Sequence, residues 1–130
     1  MGVEEIQKNS NNKEIIMQAV RESGKNLELA SEELQDDKEV VMEALKQDGE
    51  ALEFASTRLK GDKEVLQLAT KTAPWTICYA SEELTGDKEI MLECCKHYGQ
   101  ALYYASEELR DDKEVVKVAV ENKGIIIKYA

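Results

Sequence analysis

The tripeptide Asp-Lys-Glu begins at Asp37, Asp62, Asp87 and Asp112, always 25 residues apart, and Asn12-Lys13-Glu14 stands one period earlier. Ala-Ser pairs begin at Ala30, Ala55, Ala80 and Ala105, and Ala130 falls in the same column. Leu34, Leu59, Leu84 and Leu109 share another column. Gly24, Gly49, Gly99 and Gly124 share a third, in which position 74 is held by Pro74. Nothing is inserted or deleted across five copies. A period of this length means one supersecondary unit per copy, unable to bury its apolar face alone and obliged to stack on its neighbour.

Each column has a physical reading. Asp37 and its counterparts, Asn12 included, stand just before a helical pattern and are natural N-caps, with Glu39 and its counterparts favourably placed in the first turn. Val40, Val41, Ala44 and Leu45 then form one apolar stripe, repeated as Ile15, Ile16, Ala19, Val20 and as Val115, Val116, Ala119, Val120. The column Ala19, Ala44, Ala69, Cys94, Ala119 is always small, which predicts close approach of a neighbouring helix. Gly49 and its counterparts are expected to end this helix as left-handed C′ residues. In 51-ALEFASTRL-59, Leu52, Ala55 and Leu59 predict a second helix. The expected fold is all-α: an α-solenoid of five tandem 25-residue helix–turn–helix repeats, each with two helices of about 9–11 residues that are marginal alone. A compact helical bundle is the alternative. Residues 1–11 form a lead segment and residues 12–130 a single repeat domain, with copies 12–36, 37–61, 62–86, 87–111 and 112–130.

Charge narrows the function classes. The net charge of −10 argues against nucleic acid, whose phosphates need a basic surface, and against anionic membranes. No apolar run approaches a membrane span, and 1-MGVEEIQKNSNN-12 lacks a signal-peptide core. Ile6 stands where a myristoylation signal needs Ser or Thr. Three cysteines without framework spacing read as reduced thiols, so a cytoplasmic location is expected.

The pattern of 37-DKEVVMEALKQDGEALEFAS-56 and 112-DKEVVKVAVENKGIIIKYA-130 resembles the domain-of-unknown-function family numbered 4116, whose members carry tandem D-[RK]-E-V-V…G…AL-x-YAS units. The resemblance covers residues 12–130. It implies a helical-repeat scaffold within larger intracellular proteins and brings no catalytic residue with it. Pro74–Trp75 and 25-KNLELA-30 depart from the pattern.

Candidate chemistry is sparse. Cys78, Cys94, Cys95 and His97 are the soft ligands, but Cys94 and Cys95 occupy apolar columns and adjacent cysteines are poor zinc geometry. A thiol or metal site around Cys94, Cys95 and His97 is therefore the least favoured reading. The carboxylate pairs Glu32–Glu33, Glu82–Glu83 and Glu107–Glu108 repeat with the scaffold and read as a solvated face. No catalytic residue, metal or cofactor is expected.

Aromatics are more informative. Leu29, Phe54, Tyr79, Tyr104 and Tyr129 form a column expected to be half-buried. Trp75 falls in a column that is Lys, Glu or Gln in three other copies, and Tyr103 in one that is Glu in the first two, so both rings are expected to be partly exposed. As i and i+4 of a helix, Trp75 and Tyr79 are expected to share a face. Pro74, unable to be left-handed, is expected to start the next helix instead. Trp75, Tyr79, Tyr103 and Tyr104 are thus the candidate partner-binding residues of a non-enzymatic protein-interaction scaffold. The alternative is a structural spacer within a longer repeat protein. Ile125, in 125-III-127, replaces a polar residue, which makes self-association through the C-terminal end a further expectation.

Overall fold

The computed structural model describes residues 2–122, and among them all regular structure is helical. A short helix, α1 (Val3–Lys8), precedes the copies. In the first copy α2 (Lys13–Glu22) is followed by a six-residue 3₁₀ helix, Gly24–Leu29, and a single α-turn, α3 (Glu32–Gln35). The triplet recurs as α4 (Lys38–Gln47), Gly49–Phe54 and α5 (Thr57–Lys60), then as α6 (Lys63–Thr72), Pro74–Tyr79 and α7 (Glu82–Thr85). It recurs again as α8 (Lys88–His97), Gly99–Tyr104 and α9 (Glu107–Arg110), and α10 (Lys113–Glu121) opens the fifth copy. The expected residues 124–130, with Gly124, Ile125, Ile127, Tyr129 and the C-terminal association surface, lie outside the described residues.

The chain divides into two compact units, Met1–Thr76 and Ile77–Ala130. In the first, α2 packs on α4 and α4 on α6, while the 3₁₀ helices of the first two copies pack on each other. In the second, α8 packs on α10. Helices that meet their sequence successor in this way are tandem repeats, as expected, rather than a bundle.

The apolar stripe behaves as read. Ile16, Val41, Leu66 and Met91 are fully buried, as are Leu27, Leu52 and Ile77 in the second half of each copy. Asn12, Asp37, Asp62, Asp87 and Asp112 each cap their helix by accepting a first-turn amide, such as Val65 N–H on Asp62 Oδ1 at 3.2 Å.

Two expectations are corrected. In the first four copies the second helix is not one α-helix. It is a 3₁₀ helix, then an extended Ala-Ser pair, then an α-turn. At the break Ser56 Oγ accepts Leu59 N–H at 3.2 Å, an N-cap that restarts the helix, and Ser31 and Ser106 do the same for Leu34 and Leu109; Ser81 stands at the same extended position without a side-chain cap bond. A polar residue that competes for backbone amides favours a cap over a helix interior.

Gly24, Gly49 and Gly99, too, are not left-handed; no described residue has positive φ. Each follows an extended C-cap residue and is the first residue of its 3₁₀ helix. What forbids a side chain there is the next copy. A Cβ on Gly24 would strike the Ala44 carbonyl oxygen, and one on Gly49 the Ala69 carbonyl oxygen. On Gly99 it would lie 2.6 Å from Ala119 O. The small column and the glycine column are therefore two sides of one contact. Pro74 takes the same first position of its 3₁₀ helix, where a missing N–H costs least.

Candidate functional site

The Asp-Lys-Glu motif ties successive copies together. Lys13 Nζ lies 3.0 Å from Asp37 and 2.8 Å from Glu39. Lys38 meets Asp62 and Glu64 at 3.1 and 2.7 Å, and Lys88 meets Asp112 and Glu114 at 3.0 Å each. The lysine of one copy thus grips the cap and first turn of the next. Backbone bonds repeat with the same period: Ser31 N–H donates to Ser10 O, Ser56 to Gln35 O and Ser106 to Thr85 O. Ser56 Oγ and Arg58 Nε also converge on Asp36 Oδ1, at 2.6 and 2.9 Å. Asp36, Asp37, Asp62 and Asp112, with Glu39, Glu64 and Glu114, are therefore caps and ties between copies.

The aromatic candidates fall on both sides of the division between units. Trp75, in the first, is 45% exposed, yet its indole N–H donates to Glu50 Oε1 at 3.1 Å. The other oxygen of Glu50 meets Lys25 Nζ at 2.9 Å. Lys25 and, more weakly, Trp75 hold the Glu50 carboxyl below its ordinary range, while Glu50 raises the Lys25 ammonium. Residues 25, 50 and 75 are one column, so a single line of side chains crosses three copies. Lys25 and Glu50 were not singled out from the sequence, although their spacing of 25 residues was the signal that joins them to Trp75.

Tyr79, Tyr103 and Tyr104 belong to the second unit. Tyr79 is half-buried, as expected for its column, but Tyr104 is 45% exposed and Tyr103 half-buried. Segment Pro74–Tyr79 is 3₁₀, where residues three apart eclipse. The expectation that Trp75 and Tyr79 share a face assumed α-helical spacing and does not carry over. Tyr98 stands near Tyr104 and Cys78; burial first, then these two neighbours, pushes its phenol up, and it donates to Gln100 Oε1 at 3.1 Å.

Cys94 and Cys95 are buried in the core, and burial pushes the Cys95 thiol up to about 12. Such a thiol is no nucleophile near neutral pH. His97 lies out at the surface, its Nε2 3.3 Å from Glu93 Oε1. Among the described residues no three His, Cys, Asp or Glu side chains gather as metal ligands. No helix among them is long and apolar enough to cross a membrane.

A family model described as a domain of unknown function (DUF4116) matches residues 12–60, 37–85 and 87–130. Each match spans about two of the 25-residue copies. No curated protein and no solved structure matches the chain.

Proposed function

The chain belongs to the DUF4116 family of tandem helical repeats, and from that premise we propose that it is a non-enzymatic scaffold that presents exposed aromatic side chains to a protein partner. One observation carries the reading. Trp75 and Tyr104 are the exposed large aromatics among described residues, and Trp75 is held in place by Glu50. A large side chain fixed before binding loses little further freedom on association, which is why rigid tryptophans so often dominate interfaces. The lysine and cap-aspartate columns of the Asp-Lys-Glu motif are engaged in holding copies together.

The test is comparative affinity capture with wild type, Trp75→Ala and Tyr104→Ala, each first shown to melt as wild type does. Both variants should recover a defined partner less well. Equal recovery by all three would favour the second reading, a spacer that positions neighbouring domains. That reading is supported by the lysine–carboxylate ties of Lys13, Lys38 and Lys88, which join consecutive copies.

A further inference from the structure

We propose that the Trp75 face recognises a cationic segment of its partner, with an arginine side chain stacked on the indole; this deepens the scaffold reading above and rests on it. The indole's single polar atom is already engaged with Glu50, so the exposed remainder is π surface. Donation of that N–H to a carboxylate polarises the ring and enriches its face with electron density. An electron-rich indole face attracts a cation, more strongly than tyrosine or phenylalanine does.

Local charge points the same way. Glu50 lies on the indole, and Lys25, the cation next to it, stands 3.9 Å from Asp48 and within electrostatic reach of Glu53. Glu50, Asp48 and Glu53 thus outnumber the one ammonium paired with the carboxylate that holds the indole N–H. The whole chain carries −10. A basic partner would be steered to such a surface and an acidic one repelled. Arginine fits better than lysine, because its planar, weakly hydrated guanidinium stacks on an aromatic face while its N–H groups reach neighbouring carboxylates.

Trp75 is the sole tryptophan, so its emission reports on this face directly. The experiment titrates the full chain with a labelled arginine–serine repeat peptide and with its citrulline–serine counterpart, which keeps the shape and loses the charge. Tryptophan emission and peptide anisotropy are both read. The arginine peptide should bind saturably and change the Trp75 emission, and citrulline should weaken binding at least about tenfold. Trp75→Ala should weaken arginine-peptide binding about 2- to 30-fold, the range that loss of one cation–π contact spans. Glu50→Gln should also weaken it without unfolding the chain. No saturable binding of the arginine peptide, equal binding of the citrulline peptide, or full binding by Trp75→Ala overturns the inference. If the arginine peptide fails while Trp75→Ala still loses its partner in affinity capture, the scaffold reading stands and only the partner's chemistry is wrong. If Trp75→Ala captures partners as wild type does, both fall.

Discussion

Gly49 shows how a single residue can be conserved across copies of a pattern for a reason its type does not announce. A helix-ending glycine is ordinarily chosen for positive φ, and Asn is the usual substitute. Here a Cβ would instead meet the Ala69 carbonyl oxygen, with Thr72 Oγ1 at 2.6 Å and Ala73 Cβ at 3.0 Å. Backbone cannot yield as a flexible side chain can, so Gly49→Ala should destabilise the protein by about 1–3 kcal/mol, and Gly49→Asn by at least as much. Gly86 is the control: its nearest contact for an added Cβ is 3.4 Å and its φ of −94° suits alanine. Gly86→Ala should be neutral, or stabilising by up to about 1 kcal/mol through the unfolded chain. Denaturant midpoints of the three variants decide the matter. Tolerance of Gly49→Asn would restore the conformational explanation. The glycine column was legible in the sequence; its cause was not, because the group that fills the space lies about twenty residues away in the next copy.

At the scale of elements, the ten-residue helices were readable and the second half of each copy was misread. Asp at the cap followed by a 3.6-period stripe has one interpretation. Leu52, Ala55 and Leu59, spaced three and four apart, satisfy either one α-helix or a 3₁₀ helix followed by a fresh turn. Only Ser56, with acidic residues after its counterparts Ser31, Ser81 and Ser106, marks the restart. The lysine of Asp-Lys-Glu was likewise visible without a role, since its partners belong to the following copy. That role has a pH signature. Lys88 and then the Val115 amide lower the Asp112 carboxyl. Burial pushes the Asp62 carboxyl up, but the Val65 amide and Lys38 together keep it below its ordinary 3.8. Each carboxyl is more acidic folded than unfolded, so its stabilisation is complete above pH 3.8 and is lost as pH falls through the lower folded value. Lys13, Lys38 and Lys88 are raised above 10.5 by their carboxylate partners. Their contribution is complete below pH 10.5 and is lost as pH rises through the folded values. Thermal midpoints should therefore fall on both limbs, and Lys38→Gln should shrink both falls. Unchanged limbs would remove the lysines from the account. Asp62→Ala, which also deletes the cap, should cost about 1 kcal/mol, and Asp62→Asn less, as Asn12 in the first copy suggests.

For the molecule as a whole, the five-fold period was the strongest signal and the candidate site the weakest. Periodicity reports what every copy shares, whereas Trp75 is what one copy does differently, and a lone departure carries no record of what it faces. The cysteines illustrate the same limit. All three lie in two adjacent copies, yet Cys78 is exposed while Cys94 and Cys95 are buried, because the latter two replace apolar residues of the ten-residue helix stripe. A thiol reagent at mildly alkaline pH should therefore modify one thiol of the native chain rapidly. Burial holds Cys95 up to about 12, which denies it the thiolate that reacts, and its access requires the helix to open. The two slow thiols should react at the opening rate of their unit, and all three should react at once in denaturant. Met91→Ala, which removes a fully buried side chain from the same helix at a cost of about 2–5 kcal/mol, should speed the slow pair and leave Cys78 unchanged. Three fast thiols in the native chain would mean that the α8 stripe is not packed as described. A slow pair indifferent to Met91→Ala would mean that their protection is local to the sulfur atoms rather than a property of the repeat.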